Sequence, residues 1–299
     1  MADGIVKINY HGFWQNFDKE NNLLINALRK NFDVEISDKP DFLFCSWFTD
    51  EPCKDEECIK IFYSYENRTM NMLLNGFHYA IGLKKVKFSN KNNRYLRHCI
   101  CPDIPSEYRK NLPDSLAGRK FCNFIYSNTL RGDNVKNREL FCQKLMEYKS
   151  VDCPGIALNN TNPIGALDTP DWENVKINYQ RNYKFSIAFE NSIADGYSTE
   201  KINHPFMADS IPIYMGNPSI AEDYNPKAFI NAADYKNFDE VIERIIELDN
   251  NDALYMQMLR EPLYLKEPEY DRQLEEFLFN IVNAGNTKVT RLIKPFFSI

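Results

Sequence analysis

The densest group of residues that could do chemistry follows an apolar run at residues 183–189. Ser198 or Thr199 could cap a helix that begins here, leaving the N–H groups of its first turn free to face an anion such as pyrophosphate. Lys201 would add a full positive charge, and Glu200 could accept hydrogen bonds from paired ribose hydroxyls. A capped helix with ordinary Glu and Lys residues explains the pattern equally well. The candidate side chains are Glu190, Asn191, Tyr197, Glu200 and Lys201.

The overall composition excludes some classes of protein. The 299 residues carry a formal net charge of −6, and we identify no segment that combines dense Lys and Arg with exposed aromatic residues, so nucleic acid is not expected as a partner. We find no signal-peptide pattern, and the most apolar run, at 42–48, is far below the ~20 residues that span a bilayer. The eight cysteines contain no C-x-x-C pair and are expected to be reduced thiols. We therefore expect a cytoplasmic protein, at most peripheral to a membrane.

Strand-like and helix-like segments alternate along the chain. In the first half a helix is predicted at 21–31, and short apolar runs predict strands that are covered on both faces, at 5–10, 42–48, 59–63 and 77–83. A polar, proline-containing stretch at 102–119 is interpreted as a linker.

The second half continues the alternation after this linker. Strands are predicted at 121–126, 183–189 and 211–215, and a loop-rich stretch at 150–170. Helices are predicted at 135–148, 199–209, 238–248 and 268–282. The pattern indicates an α/β fold with two Rossmann-like domains, residues 1–117 and 118–299, whose ligands would lie at the carboxyl ends of the strands, in a cleft between the domains.

Two runs in the second half closely resemble the signature of the α-1,3-fucosyltransferases (glycosyltransferase family 10), especially bacterial ones. They are KFSIAFENSIADGYSTEKI at 184–202 and DSIPIYMGNPSIAEDYNPKAFI at 209–230. A weaker similarity covers the segment IFYSYEN at 61–67 and the residues behind it. The resemblance implies a GT-B architecture, in which two Rossmann-like domains face each other and the last helix packs back on the N-terminal, acceptor-binding domain.

The resemblance also implies a reaction. It is the inverting transfer of L-fucose from GDP-β-L-fucose to O3 of GlcNAc in a Galβ1-4GlcNAc-type (LacNAc) glycan, with a Lewis-x-like product. Such a reaction needs a base for the acceptor hydroxyl and cations for the departing GDP. No resident metal or other cofactor is expected, and the chain has no Asp-x-Asp pair.

Roles for individual residues follow from the resemblance. Glu66 matches the catalytic base, although it could be an exposed loop residue. Lys201 matches a phosphate-binding cation, and Arg138 or its neighbour Arg131 the second one. The remaining donor-binding residues would be Glu200 at the ribose, with Asn191 and Tyr197 at the phosphate and fucose.

Three further features bear on these assignments. Trp14 follows the first strand and could stack on an acceptor sugar, or simply pack on the first helix. Pro205 lies four residues after Lys201 and should kink or shorten the helix, which leaves the position of Lys201 in doubt. The last residues, 291–299, mix cations with aromatic side chains and could touch an inner membrane surface.

Rival interpretations remain open at this level. An enzyme of the same fold could make an α-1,4 linkage or use another GDP-sugar. A non-catalytic glycan- or nucleotide-binding protein could keep the same fold, although Glu66 and Lys201 argue against it.

Overall fold

The computed structural model describes residues 5–49, 57–67, 76–86, 94–130, 132–165 and 171–292, with side chains up to residue 285. The chain divides into two compact units. The N-terminal unit comprises Met1–Cys99 and Glu269–Ile299, and the second unit comprises Ile100–Pro268. The chain therefore leaves the N-terminal unit once and returns to it.

The N-terminal unit is built on a six-stranded parallel sheet. Its strands are β1 (Val6–His11), β2 (Val34–Ile36), β3 (Phe42–Cys45), β4 (Ile59–Ser64), β5 (Tyr79–Gly82) and β6 (Tyr95–Arg97), in the order β2-β1-β3-β4-β5-β6. All four residues of β3 are buried, as expected for a central parallel strand covered on both faces.

Two helices pack together in this unit. Helix α1 (Leu23–Arg29) begins at Asn22, whose side chain accepts hydrogen bonds from the N–H groups of the first turn. The last helix of the chain carries Leu274, Leu278 and Ile281, which are spaced to form one apolar stripe and are buried in the same core as α1. This helix spans Tyr270–Leu292 and is interrupted by non-helical backbone at Gly285.

The second unit is built on a five-stranded parallel sheet. Its strands are β7 (Lys120–Asn123), β8 (Val151–Asp152), β9 (Tyr183–Phe189), β10 (Ile211–Met215) and β11 (Ile230–Asn231), in the order β11-β10-β9-β7-β8. Strand β9 lies at the centre of this sheet, and each of its seven residues is buried. Its carboxyl end therefore lies between those of β7 and β10, where the sequence places Glu190.

The described helices of the second unit precede, connect or follow the strands of this sheet. They are α2 (Ser106–Lys110), α3 (Val135–Tyr148), α4 (Trp172–Gln180), α5 (Glu200–Met207), α6 (Phe238–Asp249) and α7 (Asp252–Leu259). The last helix of the chain, Tyr270–Leu292, belongs to the N-terminal unit and is numbered α8. Short 3₁₀ helices cover Asp114–Gly118, Ile220–Glu222 and Ala232–Asp234.

The shortening of helix α5 expected from Pro205 is observed. The helix ends two residues after this proline, at Met207. The backbone turns into the left-handed region at Asp209, with φ of 52°, and the N–H group of Ser210 donates to the carbonyl of Pro205 at 2.9 Å. Lys201 lies in the first turn, which is intact.

The predicted linker at 102–119 is wrong. Arg109, in α2, is completely buried and donates hydrogen bonds to the carbonyl oxygens of Leu259 and Glu261 at 2.6 and 2.8 Å. Leu112 is also part of the apolar core of the second unit. The boundary between the units consequently falls after Cys99 instead of at residue 117.

The cysteines match the expectation from the sequence. The cysteines in the described ranges are free thiols, and all of them except Cys101 are buried; Cys53 lies outside those ranges. No helix in the described part of the chain is both long and apolar enough to pass through a bilayer.

Candidate functional site

A buried carboxylate organises the loop at the end of β9. Glu190 is fully inaccessible to solvent, and its two oxygens accept hydrogen bonds from Thr199, one from the backbone N–H at 2.8 Å and one from the hydroxyl at 2.7 Å. Burial raises the pKa of Glu190 to about 7, and the nearby Lys201 ammonium only partly offsets this. Glu190 thus anchors the loop 191–199.

Lys201 lies in the first turn of α5, against two carboxylates. Thr199 caps the helix, and the Nζ atom of Lys201 is 2.9 Å from Oε1 of Glu200 and 3.7 Å from Oε2 of Glu190. The Lys201 side chain is only 11% exposed. Burial alone would lower its pKa, but the carboxylates of Glu200 and Glu190 outweigh this effect and raise the pKa. The site therefore holds a charged ammonium group at a helix N-terminus.

Lys176, in α4, is a second buried cation of this region, and the sequence did not reveal it. It is 7% exposed, and burial lowers its pKa to about 8. Its Nζ atom lies 5.7 Å from the centre of the Trp172 ring, and it has neither a hydrogen-bond acceptor nor an ion-pair partner among the described residues. The ring of His204, in α5, approaches the same Trp172 ring at 5.7 Å. The sequence pattern that could have indicated this lysine is a Lys four residues after a Trp, in the segment that precedes strand β9.

Two lysines, Lys201 and Lys176, stabilise the charged form of Glu200. Burial would raise its pKa, but Lys201 and Lys176 together hold the pKa well below its ordinary value. Glu200 is consequently a stable carboxylate, with a side chain that is 35% exposed. Such a group can accept hydrogen bonds from hydroxyl groups of a ligand.

Arg138, in α3, is completely buried. Its guanidinium group donates to Oδ1 of Asn191 at 2.7 Å and to the carbonyl of Asn128, and it lies 4.0 Å from the centre of the Tyr126 ring. Its Nε atom has no partner within the described ranges. In this structure Arg138 holds two loops together, and Arg131, the other candidate, lies outside the described residues.

The other two predicted donor residues also lie in this part of the second unit. The backbone oxygen of Asn191 comes so close to Gly132 that a Cβ atom there would be 2.1 Å away, and Gly132 adopts a φ of 119°. Tyr197 is 2% exposed, and its carbonyl accepts a hydrogen bond from the Tyr214 hydroxyl at 3.4 Å. Both residues therefore have well-defined positions in the loop.

The predicted base and the predicted acceptor residue lie in the N-terminal unit, after strands β4 and β1. Glu66 is exposed, and its N–H group donates to Oγ of Ser64 at 3.1 Å. Trp14 is 45% exposed, with its ring 4.9 Å from that of Phe17 and 5.9 Å from that of Phe48. Each follows the carboxyl end of a parallel strand, where α/β proteins commonly bind ligands.

No group of three or more His, Cys, Asp or Glu side chains within the described ranges is arranged to hold a metal ion. Among the described residues, the charged groups near the end of β9 include Glu190, Glu200, Lys201, Arg138 and, in α4, Lys176.

Two family models match the chain and cover most of it. Residues 119–266 match the C-terminal part of glycosyltransferase family 10 (fucosyltransferase), and residues 8–101 match the N-terminal domain of the α-(1,3)-fucosyltransferase FucT. The chain belongs to glycosyltransferase family 10. The family recognised in the motifs at 184–202 and 209–230 is therefore confirmed.

Individual fucosyltransferases resemble the chain over different lengths. An α-(1,3)-fucosyltransferase (FucT) of Helicobacter pylori is 32% identical over 227 residues, which cover 68% of this chain and 46% of that protein. A GDP-fucose protein O-fucosyltransferase 3 of Xenopus laevis is 32% identical over 136 residues, 44% of this chain and 29% of that protein. The chain thus spans less than half the length of these curated relatives.

A solved α-1,3-fucosyltransferase has the same fold. The crystal structure of an α-1,3-fucosyltransferase with GDP superposes with a TM-score of 0.73 at 25% identity, covering 96% of this chain and 92% of the other. The two α/β units, each built on a parallel sheet, are those of a GT-B glycosyltransferase. The predicted fold class is therefore confirmed.

Proposed function

We propose that this family 10 protein transfers L-fucose from GDP-fucose to a glycan, at O3 of GlcNAc in a Galβ1-4GlcNAc-type acceptor. The observation that carries the donor half of this proposal is the buried ammonium group of Lys201 at the N-terminus of α5. A helix N-terminus with an adjacent fixed cation suits a diphosphate. The relatives named above are fucosyltransferases, one of them named for GDP-fucose.

The leaving group needs positive charge as it departs. When the bond between fucose C1 and the β-phosphate oxygen breaks, that oxygen takes the bonding electron pair and becomes more negative. Lys201 and the first-turn N–H groups of α5 would stabilise it, with Arg138 as the second cation. In this proposal these side chains neutralise GDP without a resident metal, and activity should persist in the presence of a chelator.

Donor binding requires an exchange of partners at Lys201. Its ammonium group lies 2.9 Å from Glu200, and phosphate oxygens would replace this carboxylate. Glu200 would then turn to the ribose hydroxyls, still charged because Lys176 also lowers its pKa. This gives Lys176 a role: it balances the charge of Glu200 once Lys201 is engaged with phosphate.

The acceptor side of the reaction needs a base. The Glu66 carboxylate would take the proton from O3 of GlcNAc while O3 forms the new bond to fucose C1 on the face opposite to the departing GDP. The proton stays on Glu66, the electron pair of the broken bond stays on GDP, and the β-linked donor gives an α-linked product. The configuration at C1 is thus inverted in a single step.

A second acceptor class is favoured by one relative. The Xenopus laevis protein is named as a protein O-fucosyltransferase, which indicates that the hydroxyl group of a polypeptide is an alternative acceptor within this family. An α-1,4 linkage, another GDP-sugar, or nucleotide binding without turnover are the remaining rivals. All of the catalytic ones share the donor chemistry described above.

The decisive experiment measures turnover with GDP-fucose, GDP-mannose and UDP-sugars against LacNAc and a Ser/Thr peptide. We expect turnover with GDP-fucose and LacNAc, and an α-1,3 linkage in the product by NMR. Glu66→Gln should lower kcat by about 10²–10⁴-fold and leave the calorimetric affinity for GDP unchanged. GDP binding without turnover on any acceptor would overturn the catalytic proposal, and peptide fucosylation alone would overturn the glycan acceptor.

A further inference from the structure

A chain of three hydrogen-bonded side chains adjoins Glu66 in the N-terminal unit. The Tyr65 hydroxyl is 2.6 Å from Nδ1 of His98, and Nε2 of His98 is 3.1 Å from Oδ1 of Asp271. The His98 side chain is only 1% exposed, whereas that of Asp271 is 78% exposed. A buried imidazole thus connects a tyrosine to a carboxylate at the surface.

The direction of each hydrogen bond follows from the chemistry of the three groups. The carboxylate of Asp271 only accepts, so Nε2 of His98 carries a hydrogen and donates it. Burial lowers the pKa of His98, although Asp271 acts in the opposite direction, so the imidazole is neutral at neutral pH and its Nδ1 is an acceptor. The Tyr65 hydroxyl therefore donates to His98.

The three residues belong to three separate segments of the N-terminal unit. Tyr65 directly follows β4, His98 directly follows β6, and Asp271 lies in the first turn of α8. A second hydrogen bond joins β6 to α8, since the guanidinium group of Arg97 donates to the Tyr270 hydroxyl at 2.9 Å. The end of β4 is thus tied to β6 and to α8.

Glu66 follows Tyr65 directly, so its main chain is held on both sides of the peptide bond that joins them. The Tyr65 ring is held by His98, and the N–H group of Glu66 itself donates to Oγ of Ser64. A catalytic carboxylate at the edge of a sheet acts efficiently only when its position is fixed, because misplacement by about 1 Å can cost about 10²-fold in rate.

We propose that the Tyr65–His98–Asp271 chain is a positioning network for Glu66. This inference rests on the proposed function, in which Glu66 is the base. Tyr65 and His98 act through Glu66 and do not touch the substrate. Their effect should therefore appear in kcat and not in the affinity for the donor.

The test is a double-mutant cycle on turnover of GDP-fucose with LacNAc. Tyr65→Phe removes only the hydroxyl, which donates to His98 and is also hydrogen-bonded to Tyr63, and we expect kcat to fall by about 10–100-fold with unchanged GDP affinity. In a background of Glu66→Gln the same change should have no further effect, because there is no base left to position. Tyr95→Phe is the matched control: it removes another hydroxyl of this unit, bonded to the Lys84 carbonyl at 2.5 Å, and should leave kcat unchanged.

Two further variants test the other end of the chain. Asp271→Asn keeps an acceptor for His98 Nε2 and should retain most of the activity, whereas Asp271→Ala should lower kcat as Tyr65→Phe does. Nitrogen-15 NMR of histidine should show His98 with hydrogen on Nε2 in the wild type. Hydrogen on Nδ1 instead would overturn the assigned network.

The outcomes separate this inference from the proposed function. If Glu66→Gln lowers kcat but Tyr65→Phe does not, or if the two losses multiply in the double variant, the positioning network is wrong and the base stands. If Glu66→Gln retains full activity, the assignment of the base is wrong, and the network has no catalytic role.

Discussion

The ammonium nitrogen of Lys201 lies 3.7 Å from Oε2 of Glu190, a carboxylate with no exposed surface. Both of the Glu190 oxygens also accept hydrogen bonds from Thr199. Even so, burial raises the pKa of Glu190 from 4.5 to about 7. The carboxyl group that anchors the loop 191–199 therefore takes up a proton at a higher pH than an ordinary glutamate does.

This shift makes the stability of the second unit depend on pH. Between pH 4.5 and 7 the folded protein binds more protons at Glu190 than the unfolded chain does, so the stabilising contribution is complete below pH 4.5 and is lost as the pH rises through 7. The loss should be about 3 kcal/mol in the free energy of unfolding. Glu190→Gln should remove this component, as measured by urea unfolding of both proteins at pH 5 and 8. An identical pH dependence in wild type and variant would contradict it.

Replacing Lys176 should increase the stability of the protein but weaken its binding of GDP. Lys176 is a buried cation without an ion-pair partner among the described residues, so Lys176→Met should raise the free energy of unfolding at pH 7 by about 1–3 kcal/mol. The same change should weaken GDP binding about tenfold, because Glu200 loses one of the charges that stabilise it. Thermal unfolding and calorimetry measure the two effects.

Lys184 offers the matched control for this variant. It is equally buried in the same unit, but its Nζ atom lies 3.1 Å from Asp249. Lys184→Met should therefore destabilise the protein and leave the intrinsic GDP affinity unchanged. A loss of stability in both variants would show that Lys176 has a charged partner in solution.

Gly216 has no side chain, and the side chain of Glu190 fills the space where one would lie. A Cβ atom at residue 216 would lie 2.4 Å from Cγ of Glu190 and 2.8 Å from the Tyr214 hydroxyl. Gly216→Ala should therefore displace Glu190, lower the free energy of unfolding by about 1–3 kcal/mol and weaken GDP binding. Gly118→Ala, where a Cβ atom would meet nothing within 4 Å, is the control and should change neither. Equal behaviour of the two variants would argue against this packing.

Arg138→Lys tests whether the guanidinium shape is required. Lysine could keep the charge but could not bond both Asn128 and Asn191 while stacking on Tyr126. We expect a lower melting temperature and weaker GDP binding, with loss of the order between the loops at 128 and 191. If GDP binding weakens without any change in melting temperature, Arg138 contacts phosphate more than it supports the loops. If neither changes, Arg138 is not part of the site.

The strand and the helix nearest to the site were predictable because their apolar residues recur with the period of a strand or of a helix. Strand β9 and helix α3 have the predicted bounds, 183–189 and 135–148. Helix α4 was missed, because its sequence mixes Asn, Glu and Lys and buries only Lys176, Ile177 and Gln180. The supposed linker was misread because a buried arginine, Arg109, looks like a surface residue in a sequence.

The candidate site also contains residues that the sequence indicated and features that it did not. Sequence resemblance proposed Lys201, Glu200 and Arg138 as donor-binding residues, since it compares residue types at given positions, and their roles stay predictions. It could not indicate that Arg138 is fully buried or that Lys176 is, because a lysine or arginine on a helix is normally solvated. Burial of Lys176 depends on packing of α4 against α5, and burial of Arg138 depends on the loops that pack on α3, which no local pattern reveals.

The return of the chain through α8 determines how this protein can be dissected. Residues 100–268 form one continuous gene segment and could be expressed separately. Residues 1–99 could not, because without Leu274, Leu278 and Ile281 the apolar surface of α1 would face water. A stop codon at position 269 should consequently yield an aggregation-prone product, even though it leaves every proposed catalytic side chain in place.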